Sequence, residues 1–284
     1  MDFLRQTNEP LFPKVLWNRP VGANRAGRLL LVGGHSQEFN AVGNVYAAAQ
    51  SAEVGECTIV LPDALQKYLP GDSNHVFVPS TPAGSIAKDA TAQILSLAQD
   101  SDAIALGASL SSNSETATVI ESILSKTDKP IALFDEAFDL MKFHPQTLIG
   151  ENRLIIATMP DLFKLAKHLK IGISVSEPSL VGKLNIIRML ATVTKSQFLV
   201  YGPELIVVAN NQESVTHWKP VPATVLFGVA SVLWLQNQAK PFEGLTTAAY
   251  LISKASQELP EERLSQPELL KIIGKTIRSS SGQF

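Results

Sequence analysis

Arg28-Leu-Leu-Leu-Val-Gly-Gly34 is an apolar run that ends in two glycines. A short continuous apolar run bounded by glycine is typical of a strand that is buried on both faces of a parallel sheet. After a loop at residues 35–40, the stretch from Ala41 to Glu53 places small and apolar side chains at helical spacing. The order of strand, glycine turn and helix predicts the first unit of an α/β fold.

The same alternation continues through the next 140 residues. Further strands are predicted at Cys57–Leu61, His75–Val78, Asp102–Leu106, Pro130–Phe134 and Arg153–Ala157. Helices are predicted at Ile86–Gln99, from Ser114, from Glu136, from Asp161 and at Leu180–Thr194, with Ser114 as a helix cap. Strands joined by helical crossovers predict an α/β fold with a central, mostly parallel sheet and helices on both faces.

The organisation changes after Ser196. Three closely spaced strands are predicted at Gln197–Tyr201, Glu204–Ala209 and Ser214–Trp218, with Asn210-Asn211 as a hairpin turn because asparagine tolerates positive φ. Helices at Pro222–Gln236, Phe242–Glu258 and Gln266–Ile277 close the chain. Since no internal repeat or low-complexity linker interrupts the pattern, we expect a single domain over residues 1–284.

The composition excludes several functional classes. The net charge is −2, so no basic surface is expected for nucleic acid or an anionic membrane. The five histidines are scattered and Cys57 is the single cysteine, which favours neither a metal site nor an internal disulfide and indicates a cytoplasmic protein. The first 14 residues lack the apolar core of a signal peptide.

An uncharged stretch between Lys219 and Lys240 raises the question of a membrane span. Its apolar part, Val221–Leu235, contains Pro222 and is shorter than the roughly 20 apolar residues that a membrane-spanning helix requires. We therefore predict a helix that is buried on all sides within the protein.

Several short motifs occur in a recognisable order. They are Gly27–Gly34, Ile104–Leu110, Leu133–Phe138, Ala157–Pro160, Tyr201-Gly202, Ala223–Ala230 and Thr247–Leu251. By these motifs the chain, most strongly over residues 14–257, resembles the ADP-dependent NAD(P)H-hydrate dehydratases, a branch of the ribokinase-like superfamily. The resemblance implies a ribokinase-like fold and a lyase that acts on hydrated NADH or NADPH. It also implies ADP or ATP as a cofactor, Mg²⁺ as an optional companion of the nucleotide, and a homo-oligomer.

The family carries a glycine-rich loop that ends in an aspartate at the start of a helix. Glycines let the backbone approach phosphate oxygens, and the aspartate serves as general acid and base. The matching residues here are Val221, Pro222, Ala223 and Thr224. Pro222 has no N–H to donate and the hydroxyl of Thr224 is a very weak acid, so the sequence argues against turnover by the family's route. Pro222 also fits a purely structural role in the first turn of the helix.

Other matched positions supply the remaining candidate residues. The family's paired aspartates fall on Phe134 and Glu136, so Glu136, with Asp135 beside it, is the remaining candidate acid. The expected nucleotide contacts are Tyr201, Gly202, Ala223, Thr224 and Gly228, and the expected substrate contacts are Gly34, Asn40, Gly107, Ser109 and Pro160. Ligands of open α/β sheets bind at the carboxyl ends of strands, which supports these positions. Tight turns, helix caps and packing are structural explanations that stay open for them.

Four functions remain. The first is a dehydratase in which Glu136 or Asp135 takes over proton transfer, and the second is a non-catalytic protein that binds a nucleotide or nicotinamide ligand. The third, a dinucleotide-dependent oxidoreductase, is weakened by the absence of G-x-G-x-x-G after Gly33. The fourth, a small-molecule kinase, needs an aspartate where Thr224 stands.

Overall fold

A single sheet organises the computed structural model, which describes residues 3–20, 22–69, 73–172, 179–260 and 264–280. Its strands are β1 (Leu4–Arg5), β2 (Arg28–Val32), β3 (Glu56–Pro62), β4 (His75–Val78), β5 (Ala103–Leu106), β6 (Ile131–Phe134), β7 (Arg153–Thr158), β8 (Gln197–Tyr201), β9 (Leu205–Ala209) and β10 (Glu213–His217). They lie in the order β1-β10-β9-β8-β7-β6-β5-β2-β3-β4. Only β9 runs antiparallel to its neighbours among these strands, which confirms the prediction of a mostly parallel sheet.

Helices cover both faces of this sheet. They are α1 (Pro13–Trp17), α2 (Asn40–Ser51), α3 (Thr91–Gln99), α4 (Ser114–Lys126), α5 (Glu136–Met141), α6 (Met159–His168), α7 (Leu180–Thr194), α8 (Ala223–Gln236), α9 (Pro241–Glu258) and α10 (Gln266–Ser280). Helices α1, α2 and α8 to α10 enclose one hydrophobic core, here called the first core. Helices α3 to α7 enclose the second core on the opposite face.

The opening strand shows why its sequence is apolar throughout. Leu29 and Leu31 belong to the first core, whereas Leu30 and Val32 belong to the second. Because side chains alternate along a strand and both faces are covered, every position of β2 after Arg28 is buried. The apolar run ending in two glycines was therefore a correct indicator of a central strand.

Helix α8 is the buried helix that the uncharged stretch predicts. Every residue from Val225 to Leu235 is buried, between α2 on one side and α9 on the other. In the described residues, no helix combines the length and the apolar composition that a membrane crossing requires.

Three local predictions need correction. The predicted helix at Ile86–Gln99 begins with a 3₁₀ turn at Lys88–Ala90, because Ile86 forms a bridge with Ser80 and the chain is extended there. The cap of α4 is Asn113, not Ser114: the Asn113 side chain accepts the Thr116 N–H at 2.9 Å.

The third correction concerns the hairpin between β9 and β10. The turn forms as predicted, but neither Asn210 nor Asn211 has a positive φ. The Asn210 side chain instead accepts the Gln212 N–H at 2.8 Å, so a side-chain hydrogen bond stabilises this turn.

The N-terminal segment contains two elements that the sequence did not predict. Strand β1 pairs in parallel with β10, with Leu4 opposite Ser214, and α1 packs against α9. A two-residue strand has no periodicity to detect, so this edge of the sheet could not be expected from the sequence. The prediction that the first 14 residues are not a signal peptide included Met1 and Asp2, which lie outside the described residues.

Candidate functional site

The parallel strands β2, β5, β6, β7 and β8 end at the same edge of the sheet. In their register Leu106 lies opposite Val32 and Leu133, and Thr158 lies opposite Tyr201, so the loops that follow these strands are neighbours. We call this region the strand-end site, defined by residues 33–34, 107–110, 135–136, 158–161 and 201–202. It contains most of the predicted site residues: Gly34, Gly107, Ser109, Glu136, Pro160, Tyr201 and Gly202.

Backbone segments meet unusually closely on the floor of this site. The Gly34 N–H donates to the Ala108 carbonyl at 3.1 Å and the Gly107 N–H donates to the Val32 carbonyl at 3.2 Å. A Cβ at Gly33 would lie 2.3 Å from the Gly107 oxygen, and one at Gly107 would lie 2.4 Å from the Phe134 oxygen. Close backbone approach therefore accounts for Gly33 and Gly107.

Non-glycine residues with positive φ concentrate at the same place. Ala108, Ser109 and Asp135 have φ values of 64°, 65° and 51°, and they are three of the six such residues in the described chain. Backbone strain of this kind persists where the surrounding structure imposes it, and it clusters at functional sites. Ser109 is buried, so its hydroxyl belongs to the interior of the site.

Glu136 and Asp135 form an adjacent pair of carboxyl groups at the start of α5. Oε2 of Glu136 is buried and has no hydrogen-bond partner in the described structure. Burial, and then the charge of Asp135, raises the pKa of Glu136 to about 7, although backbone N–H groups including that of Leu110 act in the opposite direction. Burial and the nearby Asp139 also raise the pKa of Asp135. A carboxyl group that titrates near neutral pH is suited to proton transfer.

Tyr201 and Asp161 complete the polar lining of the site. Asp161 accepts from the Thr158 hydroxyl at 2.5 Å and from Lys164 Nζ at 3.2 Å. Burial, followed by the charges of Asp135 and Asp161, raises the pKa of Tyr201 to about 12. The Tyr201 phenol thus lies in the field of both carboxylates and stays protonated as a hydrogen-bond donor.

Lys142 is a cation that the sequence analysis missed. Only 7% of its side chain is exposed, and its ammonium pairs with Asp139 and lies 5.6 Å from the centre of the Phe143 ring. Its charge also contributes to lowering the pKa of Asp161. In the sequence, Asp139 and Lys142 are spaced like an ordinary surface pair on a helix, so nothing there indicated a buried charge.

A small apolar slot of about 150 Å³ opens beside Tyr201 and Gly202. Its walls come from the end of β8, the start of β9 and α7, and its lining includes Met159, Lys183, Ile187 and Leu205. Trp218 fixes this corner, because its Nε1 donates to the Gly202 carbonyl at 2.9 Å and its ring meets that of Tyr201 edge-on. The slot has the apolar character expected of a site for a planar ring.

The start of α8 lacks the features that the family uses there. Pro222 occupies the N-cap position and not the first turn, and it offers no capping side chain. Oγ1 of Thr224 is buried without a partner in the described residues. Phe134, at the position matched to a family aspartate, stacks on Phe227 of α8 with ring centres 4.8 Å apart. An apolar contact thus stands where the family places a charged group.

Two other predicted contacts, Gly228 and Asn40, lie outside the strand-end site as defined here. A Cβ on Gly228 would lie 2.6 Å from both the Ala48 Cβ and the Val45 oxygen, so the close crossing of α2 and α8 accounts for a glycine at this position without a nucleotide. Asn40 is the exposed first residue of α2, and no hydrogen bond of its side chain draws it into the strand-end site. Pro160 lies in the first turn of α6, next to Asp161.

In the described part of the chain, no three His, Cys, Asp or Glu side chains are grouped to hold a metal ion.

No family model matches the chain. Among curated proteins, it is similar to the bifunctional NAD(P)H-hydrate repair enzyme Nnr of Moorella thermoacetica, with 26% identity over 135 residues. The match covers 46% of this chain and 26% of that enzyme, so the chain corresponds to about a quarter of its relative's length.

Solved structures show the fold. A ribokinase-like superfamily protein from Enterococcus faecalis superposes with a TM-score of 0.76 at 12% identity, covering 98% of this chain and 96% of that one. The ADP/ATP-dependent NAD(P)H-hydrate dehydratase from Bacillus subtilis, co-crystallised with ATP and Mg²⁺, gives a TM-score of 0.70 at 15% identity and 99% coverage of both chains. The chain therefore has the predicted ribokinase-like fold, and the predicted resemblance to NAD(P)H-hydrate repair proteins is confirmed.

Proposed function

We propose that the chain is a lyase of the NAD(P)H-hydrate dehydratase type in which Glu136 is the proton-transfer group. The observation that carries this proposal is the Glu136 carboxyl, whose Oε2 is buried without a hydrogen-bond partner in the described structure and whose pKa is raised to about 7 by burial and the charge of Asp135. The similarity to an NAD(P)H-hydrate repair enzyme supports the choice of substrate class. Thr224 then has no acid–base role.

Dehydration of a hydrated nicotinamide ring breaks a carbon–oxygen bond and a carbon–hydrogen bond on the neighbouring ring carbon, and a carbon–carbon double bond forms between the two carbons. In this proposal the departing oxygen receives a proton from Glu136 and leaves as water, and the proton lost by the ring carbon passes to solvent. A carboxyl group with a pKa near 7 is about half protonated at neutral pH, which makes it an effective general acid. Asp135, next in sequence, contributes to this by keeping the pKa of Glu136 high. Tyr201, with its pKa raised to about 12, is a neutral donor that can hold a polar group of the ligand.

A nucleotide cofactor fits the site only with a cation. The charges of Asp139, Glu38 and Asp161 all raise the pKa of Asp135. Lys142 and Lys164 offset Asp139 and Asp161 only, so the charges of Asp135 and Glu38 still repel phosphate. Mg²⁺ typically binds through one or two carboxylates together with substrate phosphates, and it keeps several waters. We propose that ADP or ATP binds with Mg²⁺, that one or two of these carboxylates hold the ion, and that the base enters the slot beside Tyr201 and Gly202.

The direct test is recovery of NADH absorbance when the purified protein is incubated with hydrated NADH, ADP and Mg²⁺. We expect the Glu136→Gln variant to lose about 100-fold or more of this rate, the usual effect of removing a general acid. Thr224→Val, the matched control at the family's catalytic position, should retain the rate. Equal rates for the wild type and Glu136→Gln would contradict the proposal.

A non-catalytic role is the second candidate, and specific observations favour it. Thr224 and Phe134 stand at positions matched to acids of the family, and Phe134 stacks on Phe227. In this case ADP or NADH would stabilise the protein, by about 2.7 kcal/mol at 100 times the dissociation constant, without forming product. Thermal stabilisation with no recovery of NADH would therefore select the binding role. A cytosolic location, which we propose for either role, fits the buried and unbridged Cys57.

A further inference from the structure

A second cavity lies at the opposite edge of the sheet from the strand-end site, where β8 begins. It has a volume of about 540 Å³ and lies between the end of α7, the turn that joins β9 to β10 and the loop that joins α8 to α9. We call it the β8-start cavity, defined by Glu151, Lys195, Gln197, Asn210, Gln238 and Pro241. None of the functions considered above uses it.

Gln197 is the buried polar residue of this cavity. Its side chain lies on the same face of β8 as Leu199, which belongs to the first core, and only 7% of the residue is exposed. A polar side chain at this depth is ordinarily hydrogen-bonded at both ends of its amide. Within the described structure, only one end of the Gln197 amide is paired.

The free end of the Gln197 amide is the nitrogen. Oδ1 of Asn210 accepts the Gln212 N–H at 2.8 Å, so Nδ2 of Asn210 is the atom that donates to Gln197 Oε1, at 2.9 Å. Nε2 of Gln197 makes no hydrogen bond in the described structure, but it keeps accessible surface and so opens into the cavity. The cavity therefore contains a donor in a fixed position, and its partner must be an acceptor.

Two opposite charges line the same cavity without neutralising each other. Lys195 follows the last turn of α7 with a φ of 58°, and its N–H donates to the Ala191 carbonyl at 2.8 Å. Glu151 lies nearby, because the N–H of Gly150 donates to the Thr194 carbonyl at 2.8 Å. Neither charge belongs to an ion pair among the described residues, so both are available to a ligand.

Gln238 adds a neutral acceptor to the lining. Its Nε2 donates to the Trp234 carbonyl at 2.7 Å, which leaves Oε1 as the free end of this amide. The cavity thus offers an amide nitrogen and an ammonium as donors, and an amide oxygen and a carboxylate as acceptors. A lining with charges of both signs is complementary to a ligand that also carries both.

We propose that the β8-start cavity binds a free α-amino acid. The ligand carboxylate accepts from Gln197 Nε2 and from the Lys195 ammonium, and the ligand ammonium donates to Glu151 and to Gln238 Oε1. Glu151 disfavours a dicarboxylate or a phosphate, and Lys195 disfavours a simple amine. A volume of about 540 Å³ also leaves room for the side chain of the ligand. This site does not depend on the activity proposed for the strand-end site.

The test is an NMR titration of the full, isotope-labelled chain, followed through the side-chain amide signals of Gln197, which are assigned by their absence in Gln197→Met. The probes are L-alanine and L-glutamine, with acetate, methylammonium and inorganic phosphate for comparison. We expect the amino acids to shift these signals at lower concentrations than the other probes. Backbone signals of the cavity should show that Gln197→Met binds the amino acids about tenfold or more weakly, because a hydrogen bond to a charged group is lost.

Lys195→Gly tests the site independently. It removes the ammonium at a position whose φ of 58° glycine adopts without strain. We expect binding to weaken by about two- to fivefold, the effect of an exposed charge pair. Lys170→Gly is the matched control and should leave binding unchanged, because Lys170 is another exposed lysine with a φ of 57° and lies outside this cavity.

Three outcomes would overturn the proposal: neither amino acid moves the Gln197 signals, acetate or phosphate binds as tightly as the amino acids, or Gln197→Met or Lys195→Gly binds as well as the wild type. Methionine has a side chain of the same length as glutamine, so Gln197→Met is expected to fold. Backbone spectra that match the wild type away from the cavity would confirm that any lost binding comes from the site and not from unfolding.

Discussion

Asp135 and Glu136 show how one turn of backbone gives two adjacent acids different roles. Asp135 occupies the N-cap position of α5 with a φ of 51°, a conformation that few residues other than glycine adopt. That turn directs Glu136 toward the backbone of Leu110, where burial and the charge of Asp135 keep its carboxyl partly protonated at neutral pH. The strained residue thus positions the group on which the proposed chemistry depends.

The raised pKa of Glu136 makes a prediction for stability. Its pKa is about 7 in the folded chain against an ordinary value of 4.5, so between these values the folded state binds more protons than the unfolded state. Stability should therefore fall as pH rises from about 4.5 to 7 and change little from this group above that range. Asp135 contributes with the same sign. We expect Glu136→Gln to show a smaller loss of unfolding free energy across this range.

Urea unfolding at a series of pH values measures this effect. The exposed Glu121 of α4 supplies the control, and Glu121→Gln should follow the wild-type curve. Parallel curves for the wild type and Glu136→Gln would show that the carboxyl is not perturbed, and would remove the basis for its proton-transfer role.

Gly107 is the residue at which substitution should be most damaging near the site. Its φ is 141°, and an added Cβ would lie 2.4 Å from the Phe134 carbonyl oxygen, which cannot move without breaking the sheet. We expect Gly107→Ala to lower the unfolding free energy by about 3 kcal/mol, from strain and overpacking together.

Gly43 is a matched control for this substitution. It is exposed within α2, and an added Cβ would meet nothing within 4 Å. Gly43→Ala should therefore stabilise the protein by about 0.5–1 kcal/mol, the difference in helix propensity. Denaturant unfolding measures both changes. Similar effects of the two substitutions would disprove the close backbone contact at the strand ends.

At the scale of elements, the crossing of α2 and α8 determines how closely the first core packs. Gly228 allows the two helices to approach, since a Cβ there would lie 2.6 Å from the Val45 oxygen. We expect Gly228→Ala to lower stability by about 1–3 kcal/mol through overpacking. Because an added Cβ on Gly228 would face α2 and not the strand-end site, any ADP affinity measured well below the unfolding temperature should be unchanged.

Gly274→Ala is the matched control for Gly228→Ala. Gly274 is a buried glycine in α10 whose nearest neighbour is the flexible side chain of Arg278, at 3.2 Å from an added Cβ. Gly274→Ala should therefore be tolerated. Calorimetry of both variants tests the contrast, and a lost ADP affinity in folded Gly228→Ala would restore Gly228 as a nucleotide contact.

Helices and strands with a strong hydrophobic pattern were predicted from the sequence, whereas those with a weak or short pattern were misplaced or missed. Strand β2 and helix α8 were predicted because they are buried on all sides, so nearly every residue carries the signal. The start of α3 and the cap of α4 were misplaced by a few residues, because several neighbouring side chains can form such boundaries and only the packed backbone selects one. Strand β1 has two residues and depends entirely on its pairing with β10.

Residues of the candidate site that follow directly after strands could be predicted, whereas those whose position depends on side-chain packing could not. Gly34, Gly107, Glu136 and Tyr201 were identified through the resemblance to the family, and the rule that parallel strands bring their carboxyl ends to one edge supported the choice. Lys142 was missed because its burial depends on how α5 packs, which no local pattern records. The pairing of Phe134 with Phe227 joins residues that are 93 positions apart in the sequence. The sequence therefore indicated the loss of an acid at Phe134 but not the aromatic contact that replaces it.

At the scale of the whole molecule, the two cores share the same strands. Along β2, alternate side chains enter opposite cores, and the same strand is hydrogen-bonded to β3 and β5. If either core loses its packing, one face of the sheet is exposed. The other core packs against the opposite face of the same strands and is destabilised with them. The cores are therefore coupled through the sheet and not through a separate interface.

This coupling predicts that the chain unfolds in one cooperative transition despite its length. Trp218 and Trp234 belong to the first core and Trp17 lies on α1, which packs against α9, so tryptophan fluorescence reports one face of the sheet. Far-ultraviolet circular dichroism reports helices on both faces. We expect the two signals to give the same midpoint and slope in urea, as a single cooperative unit requires. A fluorescence transition that precedes the loss of helical signal would show that the first core unfolds separately, and would divide the predicted single domain into two units.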